Sequence, residues 1–266
     1  MGTSSQTLCG CNSVVECQPS KLFVAGSIPV TRSKLLGVAQ PGSAPALGAG
    51  GREFDPLHRD QFNMKIIKIS KTIIHFHQGP IGISCSGGVD SSVLLYILMK
   101  YVKDPIHIFT CASKLKNYTT VKSSTEVIRK CIELTNNNNV THHIRYVDEQ
   151  TFENLFYPQQ YSLINVMYTG VTLNPPEAVT DNFKEKSAED ERNPGTIKSF
   201  YKQTSKLTYM PFANIDKKEI YNIYKELDLL QSLYPLTRSC EDLNLLEGHC
   251  GQCWWCEERL WAFNKL

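Results

Sequence analysis

The sequence predicts an α/β protein with a parallel β-sheet, helices on both faces of the sheet and a C-terminal segment that binds a metal ion. Three observations support this fold class. Short apolar runs alternate with amphipathic stretches from Met64 onward. A serine- and glycine-rich turn at 86–91 separates the first fully apolar run from a helix, and four cysteines cluster near the C-terminus. Alternating strands and helices are typical of parallel sheets with right-handed crossovers.

The predicted elements follow one another in a regular order. The isoleucine-rich stretch 65–76 is interpreted as a helix that covers the sheet. The first strand spans 81–85, and the helix after the turn has apolar residues at helical spacing. A capping box is expected where Asp216 precedes Glu219 by three residues, at the start of a late helix. Further strands are predicted at 105–110, 141–147, 163–169 and 207–211, with a helix over 123–134.

Composition excludes several classes of protein. A formal net charge of +2 over 266 residues leaves no strongly charged tail, so nucleic acid is not a required partner. No apolar run of the sequence reaches the roughly 18 residues that a membrane-spanning helix needs. The N-terminus lacks the pattern of a signal peptide, which predicts a cytoplasmic protein. Because disulfides are rare in that compartment, clustered cysteines indicate metal binding.

Residues 1–63 are predicted to be a disordered or spurious extension. The run 37–51 (GVAQPGSAPALGAGG) is too poor in apolar surface to offset its ordering entropy. Upstream, the residues 26–29 (GSIP) can be encoded by the TΨC-arm consensus of a transfer-RNA gene. We therefore hypothesise that the reading frame extends upstream of a true start at Met64. A genuine disordered extension is the alternative.

Residues 86–91 (SGGVDS), called here the glycine loop, predict a phosphate-binding turn. Adjacent glycines let the backbone approach a ligand and adopt positive φ. The free N–H groups then lie at the positive end of a helix, where phosphate is favoured. The loop is not a Walker P-loop, because no Gly-Lys-Ser/Thr follows. It resembles the pyrophosphate loop of ATP pyrophosphatases, which split ATP into AMP and pyrophosphate while adenylating a substrate.

The four-cysteine spacing C-x9-C-x2-C-x2-C predicts a structural zinc site. Four thiolates complete a tetrahedral zinc ion and leave no open coordination position. An iron–sulfur cluster is the alternative, since C-x2-C-x2-C also occurs among cluster ligands. The ligands are expected to be Cys240, Cys250, Cys253 and Cys256.

The glycine loop and the C-terminal segment together resemble 7-cyano-7-deazaguanine synthases. The matching part of that segment runs from Thr237-Arg238-Ser239-Cys240 to His249-Cys250-Gly251-Gln252-Cys253-Trp254-Trp255-Cys256. The segment 210–220 (MPFANIDKKEI) also looks like a helix start of that family. The resemblance implies a Rossmann-like, adenine nucleotide alpha hydrolase-like domain over 64–236. The segment 237–266 would be the zinc-binding segment. The stretch 177–205 is charged, hydrophilic and poor in aliphatic residues, which predicts a flexible insertion within the domain.

The resemblance also implies a reaction, in which 7-carboxy-7-deazaguanine, ammonia and ATP give the nitrile. Asp90 and magnesium would organise the pyrophosphate, and Ser86 and Ser91 would bond its oxygens. Lys217 would offset phosphate charge, or else be a solvated lysine at a helix start. The expected partners are small molecules, the deazapurine and ammonia, and the chain is compatible with a homodimer. The residues that would line ATP are Cys85, Ser86, Gly87, Gly88, Val89, Asp90, Ser91, Ser92, Val93, Leu94 and Leu95.

Departures from the family pattern leave two alternatives open. The residues 111–114 (CASK) stand where the family has a Tyr-Gly-Gln-type motif, and no Gly-Arg-Asn segment is evident. One alternative is a sulfur-transfer, nucleic-acid-thiolating or sulfonucleotide reductase-like enzyme, to which Cys85 or Cys111 would supply a thiol. The other is a non-enzymatic zinc-ribbon protein in which Trp254 and Trp255 stack on nucleic-acid bases.

Overall fold

The structure is a computed structural model that describes residues 65–113, 117–147, 162–184, 192–195, 199–203, 206–242 and 245–266. These residues all belong to one structural unit. The predicted N-terminal extension at 1–63 lies outside the described residues. Among the helices that are described, none is long and apolar enough to cross a membrane.

A six-stranded sheet forms the centre of the fold. Its strands are β3 (Ile81–Ser84), β4 (Ile106–Ser113), β5 (Val140–Val147), β6 (Val166–Tyr168), β7 (Phe200–Gln203) and β8 (Lys206–Tyr209). Their order in the sheet is β5-β4-β3-β6-β8-β7. The first five strands in this order are parallel, as predicted, and β7 pairs antiparallel with β8 at one edge. The chain runs outward from β3 to β5 and then returns to the other side of β3, so the carboxyl end of β3 is the switch point at which such sheets bind ligands.

The helices that the structure describes are α1 (Val89–Tyr101), α2 (Asn117–Thr135), the short α3 (Glu177–Thr180), α4 (Lys217–Glu226) and α5 (Trp254–Phe263). Helix α1 packs on β3, and α2 packs on β4. Helix α1 also contacts α2 and α4, and α4 contacts α5. Fully buried aliphatic residues of β3, β4 and α1 fill the space between sheet and helices. The connection from β5 to β6 lies partly outside the described residues.

The prediction of a helix at 65–76 is wrong. This stretch forms an antiparallel hairpin of β1 (Lys65–Ile69) and β2 (Thr72–Phe76). Isoleucine and threonine are β-branched and fit a pleated strand better than a helix. Ser70, with φ of 53°, makes the turn between the two strands.

Polar contacts from the sheet and from α4 hold this hairpin in place. The Tyr168 hydroxyl donates to the carbonyl oxygen of His75 at 2.9 Å and accepts from the backbone N–H of His77 at 3.0 Å. The carboxylate of Glu219 accepts from the backbone N–H of Lys71 at 2.7 Å. Asp216 caps α4 as predicted, accepting from the Glu219 N–H at 3.1 Å. The Glu219 side chain thus binds the hairpin turn.

Parts of the predicted insertion at 177–205 contribute to the described fold. Strand β7 extends the sheet by pairing with β8. Arg192 is 3% exposed and therefore belongs to the interior. The flexibility of this segment stays a prediction.

Candidate active site and metal centre

The glycine loop connects the end of β3 to the start of α1, at the switch point of the sheet. Gly87 has φ of 82°, and a Cβ there would lie 2.7 Å from the backbone nitrogen of Ser124. Only glycine fits this position. Gly88 differs, because it is the N-cap of α1 with φ of −73°, and the nearest heavy atom to an added Cβ is 3.4 Å away. The expectation of positive φ is thus confirmed for Gly87 and wrong for Gly88.

Hydroxyl groups converge on the start of α1. The Ser86 side chain is exposed, and its Oγ lies 3.4 Å from the Oγ of Ser91 and accepts from the Gly88 N–H at 3.3 Å. The hydroxyl of Ser92, a fully buried residue, donates to the Gly88 carbonyl oxygen at 2.7 Å. The first N–H groups of an α-helix have no intrahelical acceptor. Ser86 and these N–H groups therefore form a surface suited to an anion.

Several residues that were predicted to line ATP have buried side chains. Val89, Val93, Leu94 and Leu95 are 0% exposed and belong to the hydrophobic core. Their side chains fix α1 beneath the loop. Cys85 is 1% exposed, and burial raises the pKa of its thiol to about 11. The Cys85 thiol therefore belongs to the core, where burial favours its protonated form.

A buried charge cluster extends inward from the glycine loop and consists of Asp90, which belongs to the loop, and of Lys217, Glu258 and Arg192. The Nζ of Lys217 lies 3.1 Å from Oδ2 of Asp90 and 2.9 Å from Oε2 of Glu258. Nη2 of Arg192 lies 2.6 Å from Oε1 of Glu258. The Lys217 side chain is 1% exposed, so the expectation of a solvated lysine is wrong.

The charged states of Lys217 and Glu258 support each other within this cluster. Burial lowers the pKa of Lys217, but Asp90 and Glu258 outweigh burial and raise the pKa overall. Burial likewise raises the pKa of Glu258, but Arg192 and Lys217 outweigh it and hold this pKa below its ordinary value. The pKa of Asp90 is raised by burial, against the effect of Lys217. Two cations and two carboxylates then balance each other's charge.

Asp90 retains an acceptor that the cluster does not use. Its Oδ1 is buried and has no hydrogen-bond partner among the described residues. Gly170, at the end of β6, lies so close to the start of α1 that an added Cβ would be 2.9 Å from the carbonyl carbon of Asp90. The backbone around Asp90 is thus closely packed, and one carboxylate oxygen is left for a ligand.

Sequence reasoning missed Arg192 and Glu258. Arg192 stands in a hydrophilic stretch with no periodic signal. Glu258 had a weak signal, since it lies four residues after Trp254 and four before Ala262, both of which are buried. A charged residue on the buried face of a helix indicates a buried partner.

The four predicted cysteine ligands come together, as expected. Their Sγ atoms all lie within 4.8 Å of one another, and those of Cys250 and Cys256 are 3.9 Å apart. A tetrahedral ion with metal–sulfur bonds of about 2.3 Å requires sulfur–sulfur distances of about 3.8 Å. Thiolates that bind different irons of a cluster lie farther apart. The arrangement therefore fits a single tetrahedral ion.

Backbone N–H groups point at two of the four sulfur atoms, and the neighbouring thiols shift one another's pKa values in opposite directions. The N–H of Cys250 donates to Sγ of Cys240 at 3.3 Å, and the N–H of Cys253 donates to Sγ of Cys250 at 3.3 Å. Hydrogen bonds from Cys253 and Cys256 lower the pKa of Cys240, while the pKa of Cys253 rises to about 12. Four thiols this close ionise together only when a cation binds.

The two tryptophans next to the cysteines are packed within the protein. Trp254 is 5% exposed and meets Phe183 edge-on, with ring centroids 5.0 Å apart. The Trp255 ring lies 5.0 Å from the Arg192 guanidinium and 5.5 Å from the Lys217 ammonium. Trp254 is therefore not available to stack on a nucleic-acid base.

Two family models match separate parts of the chain. Residues 75–167 match the model for asparagine synthase, and residues 185–266 match the model for queuosine biosynthesis protein QueC. The first match contains the glycine loop, and the second contains the cysteine group and three members of the buried charge cluster. No curated protein sequence matches the chain.

Two solved structures match the chain at low sequence identity and low TM-score. The U34-tRNA thiolase NcsA from Methanococcus maripaludis, solved with its [4Fe-4S] cluster, is 17% identical with a TM-score of 0.35. The match covers 57% of this chain and 57% of the thiolase. The NMN synthetase from Francisella tularensis is 16% identical with a TM-score of 0.37, over 68% of this chain and 76% of that one.

Proposed function

We propose that this chain, a QueC-like protein of the PP-loop ATP pyrophosphatases, converts 7-carboxy-7-deazaguanine, ammonia and ATP into 7-cyano-7-deazaguanine. One observation carries the proposal: the segment with the four cysteines contacts the glycine loop at the switch point of the sheet. The backbone N–H of Arg238, two residues before the first cysteine, donates to the Gly87 carbonyl oxygen at 2.9 Å. The C-terminal segment thus contacts the loop itself.

The reaction needs two activations, because carboxylate and amide oxygens are poor leaving groups. A carboxylate oxygen of the substrate attacks the α-phosphorus of ATP, and pyrophosphate leaves. Ammonia then attacks the carbonyl carbon of the acyl adenylate and releases AMP, which gives the amide. In a second round the amide oxygen is adenylated, and loss of AMP and protons gives the nitrile. In such chemistry a protein contributes mainly positioning and charge stabilisation.

Residues around the glycine loop would supply these effects. The Ser86 hydroxyl and the first N–H groups of α1 would bind phosphate oxygens, as anions bind at helix N-termini. Magnesium, when bound, neutralises pyrophosphate charge, and the unused Oδ1 of Asp90 is the atom that would hold it. Lys217 would fix the Asp90 carboxylate through its contact with Oδ2.

We further propose that the four cysteines hold zinc as a structural ion. The sulfur–sulfur distances favour one tetrahedral ion, and four thiolates leave no position for substrate. Cys85 does not support the sulfur-transfer alternative, because burial raises the pKa of its thiol to about 11.

The test is to incubate the purified protein with ATP, magnesium, ammonium and 7-carboxy-7-deazaguanine, and to follow AMP and the nitrile. We expect both products, and we expect Asp90→Asn to abolish them while the protein stays folded. AMP without nitrile would favour another acceptor. No AMP with this substrate would refute the proposed reaction.

A further inference from the structure

Helix α5 connects the metal centre directly to the buried charge cluster. Cys253 is its N-cap, and the N–H of Cys256 in the first turn donates to the Cys253 carbonyl oxygen at 2.9 Å. Glu258 follows Cys256 by two residues, and its side chain is 0% exposed. The position of Glu258 therefore depends on how the first turn of α5 is held.

Glu258 occupies the middle of the cluster. Each of its carboxylate oxygens contacts a different cation, Lys217 at 2.9 Å and Arg192 at 2.6 Å. Lys217 in turn contacts Asp90 in the first turn of α1. A chain of short contacts thus runs from a metal ligand to the glycine loop.

We propose that Glu258 is a positioning residue that couples the metal centre to the glycine loop. With the metal bound, the start of α5 is fixed, and Glu258 holds Lys217 against Asp90. Without Glu258, a single carboxylate would face two buried cations, and an uncompensated buried charge rearranges or recruits water. This inference rests on the proposed function only in the test that measures catalysis.

The primary test is Glu258→Gln, which keeps the size of the side chain and removes its charge. Its matched control is Glu257→Gln on the same turn, because Glu257 contacts the backbone N–H of Lys184 and no member of the cluster. We expect Glu258→Gln to retain one metal ion per chain and to lower kcat for AMP formation at least about tenfold. The KM for ATP should change less than about threefold, and Glu257→Gln should match the wild type.

A second measurement does not depend on catalysis. Hydrogen–deuterium exchange of the amides at 86–94 should become at least about tenfold faster in Glu258→Gln, and also in wild-type protein whose metal has been removed by a chelator. If the wild type makes no AMP, the proposed function fails, but this exchange still decides the coupling. Wild-type kcat and wild-type exchange in a metal-loaded Glu258→Gln protein would overturn the inference.

A charge-balanced variant covers the case in which Glu258→Gln fails to fold. The double variant Glu258→Gln/Arg192→Gln removes one charge of each sign, so Lys217 and Asp90 remain as a neutral pair. We expect it to bind the metal and still show faster exchange at 86–94. Unfolding of both variants would count against the inference, because Glu258 would then serve the whole fold.

Discussion

At the scale of single residues, the two adjacent glycines of the loop have different roles. Gly87 is required by the fold, because its φ is positive and an added Cβ would overlap the backbone of α2. Gly88 has ordinary backbone geometry and room for a methyl group. The sequence identified both as glycines of a phosphate loop, but it could not distinguish them, because the difference depends on contacts with residues more than thirty positions away.

We predict that Gly88→Ala separates activity from stability. A methyl group at the start of α1 should change the free energy of unfolding by less than about 1 kcal/mol. On the face where phosphate would approach, it should lower AMP formation by about tenfold or more. Urea unfolding and an AMP assay check this. Gly87→Ala is the comparison, and it should cost about 1–3 kcal/mol; equal stability losses in the two variants would contradict the assignment.

At the scale of elements, the sequence predicts a helix or strand correctly where the spacing of its apolar residues fits only one of the two. Strands β3 and β6 are buried on both faces, and their short apolar runs predict buried strands of a parallel sheet. The hairpin was missed, because the isoleucine pairs at 66–67 and 73–74 satisfy helical and strand spacing alike. The cap at Asp216 was predicted, but the partner of Glu219 is the hairpin turn, which no local pattern indicates.

We predict that Asp216→Ala destabilises the protein by about 1 kcal/mol, because the N–H of Glu219 loses its side-chain acceptor at the start of α4. The midpoint of urea unfolding measures this loss. Lys225→Ala, an exposed change in the last turn of the same helix, should stay within about 0.5 kcal/mol of the wild type. If Asp216→Ala also stayed within about 0.5 kcal/mol of the wild type, the prediction would be wrong, and water would replace the side-chain acceptor of the Glu219 N–H.

At the scale of the whole molecule, the C-terminal segment is part of the main core. Ala262 and Phe263 of α5 belong to the same hydrophobic cluster as β3 and α1. The cysteine spacing predicted this segment as a metal site. Its contact with the glycine loop could not be predicted, because Arg238 and Gly87 are far apart in the sequence and only the tertiary fold brings them together.

We predict that removing the metal lowers the stability of the entire fold. Without the ion, the first turn of α5 loses its anchor, and burial of Phe263 weakens. A chelator should therefore lower the Tm by several degrees, and zinc should restore it. The metal-loaded protein should be colourless near 400 nm and contain one zinc ion. A brown protein with iron would refute zinc, and an unchanged Tm would refute the structural role.

The contact between Arg192 and Glu258 also limits how this protein can be recombined with its relatives. The hydrophilic stretch between α3 and β7 looks replaceable in sequence, like a surface loop that could be exchanged between relatives. Yet it delivers one of two cations that neutralise an interior carboxylate. A chimaera with a foreign segment here would need a cation at the same place, or a neutral residue at 258. Any segment that replaces this stretch must therefore match the residue at position 258, which lies 66 residues after Arg192.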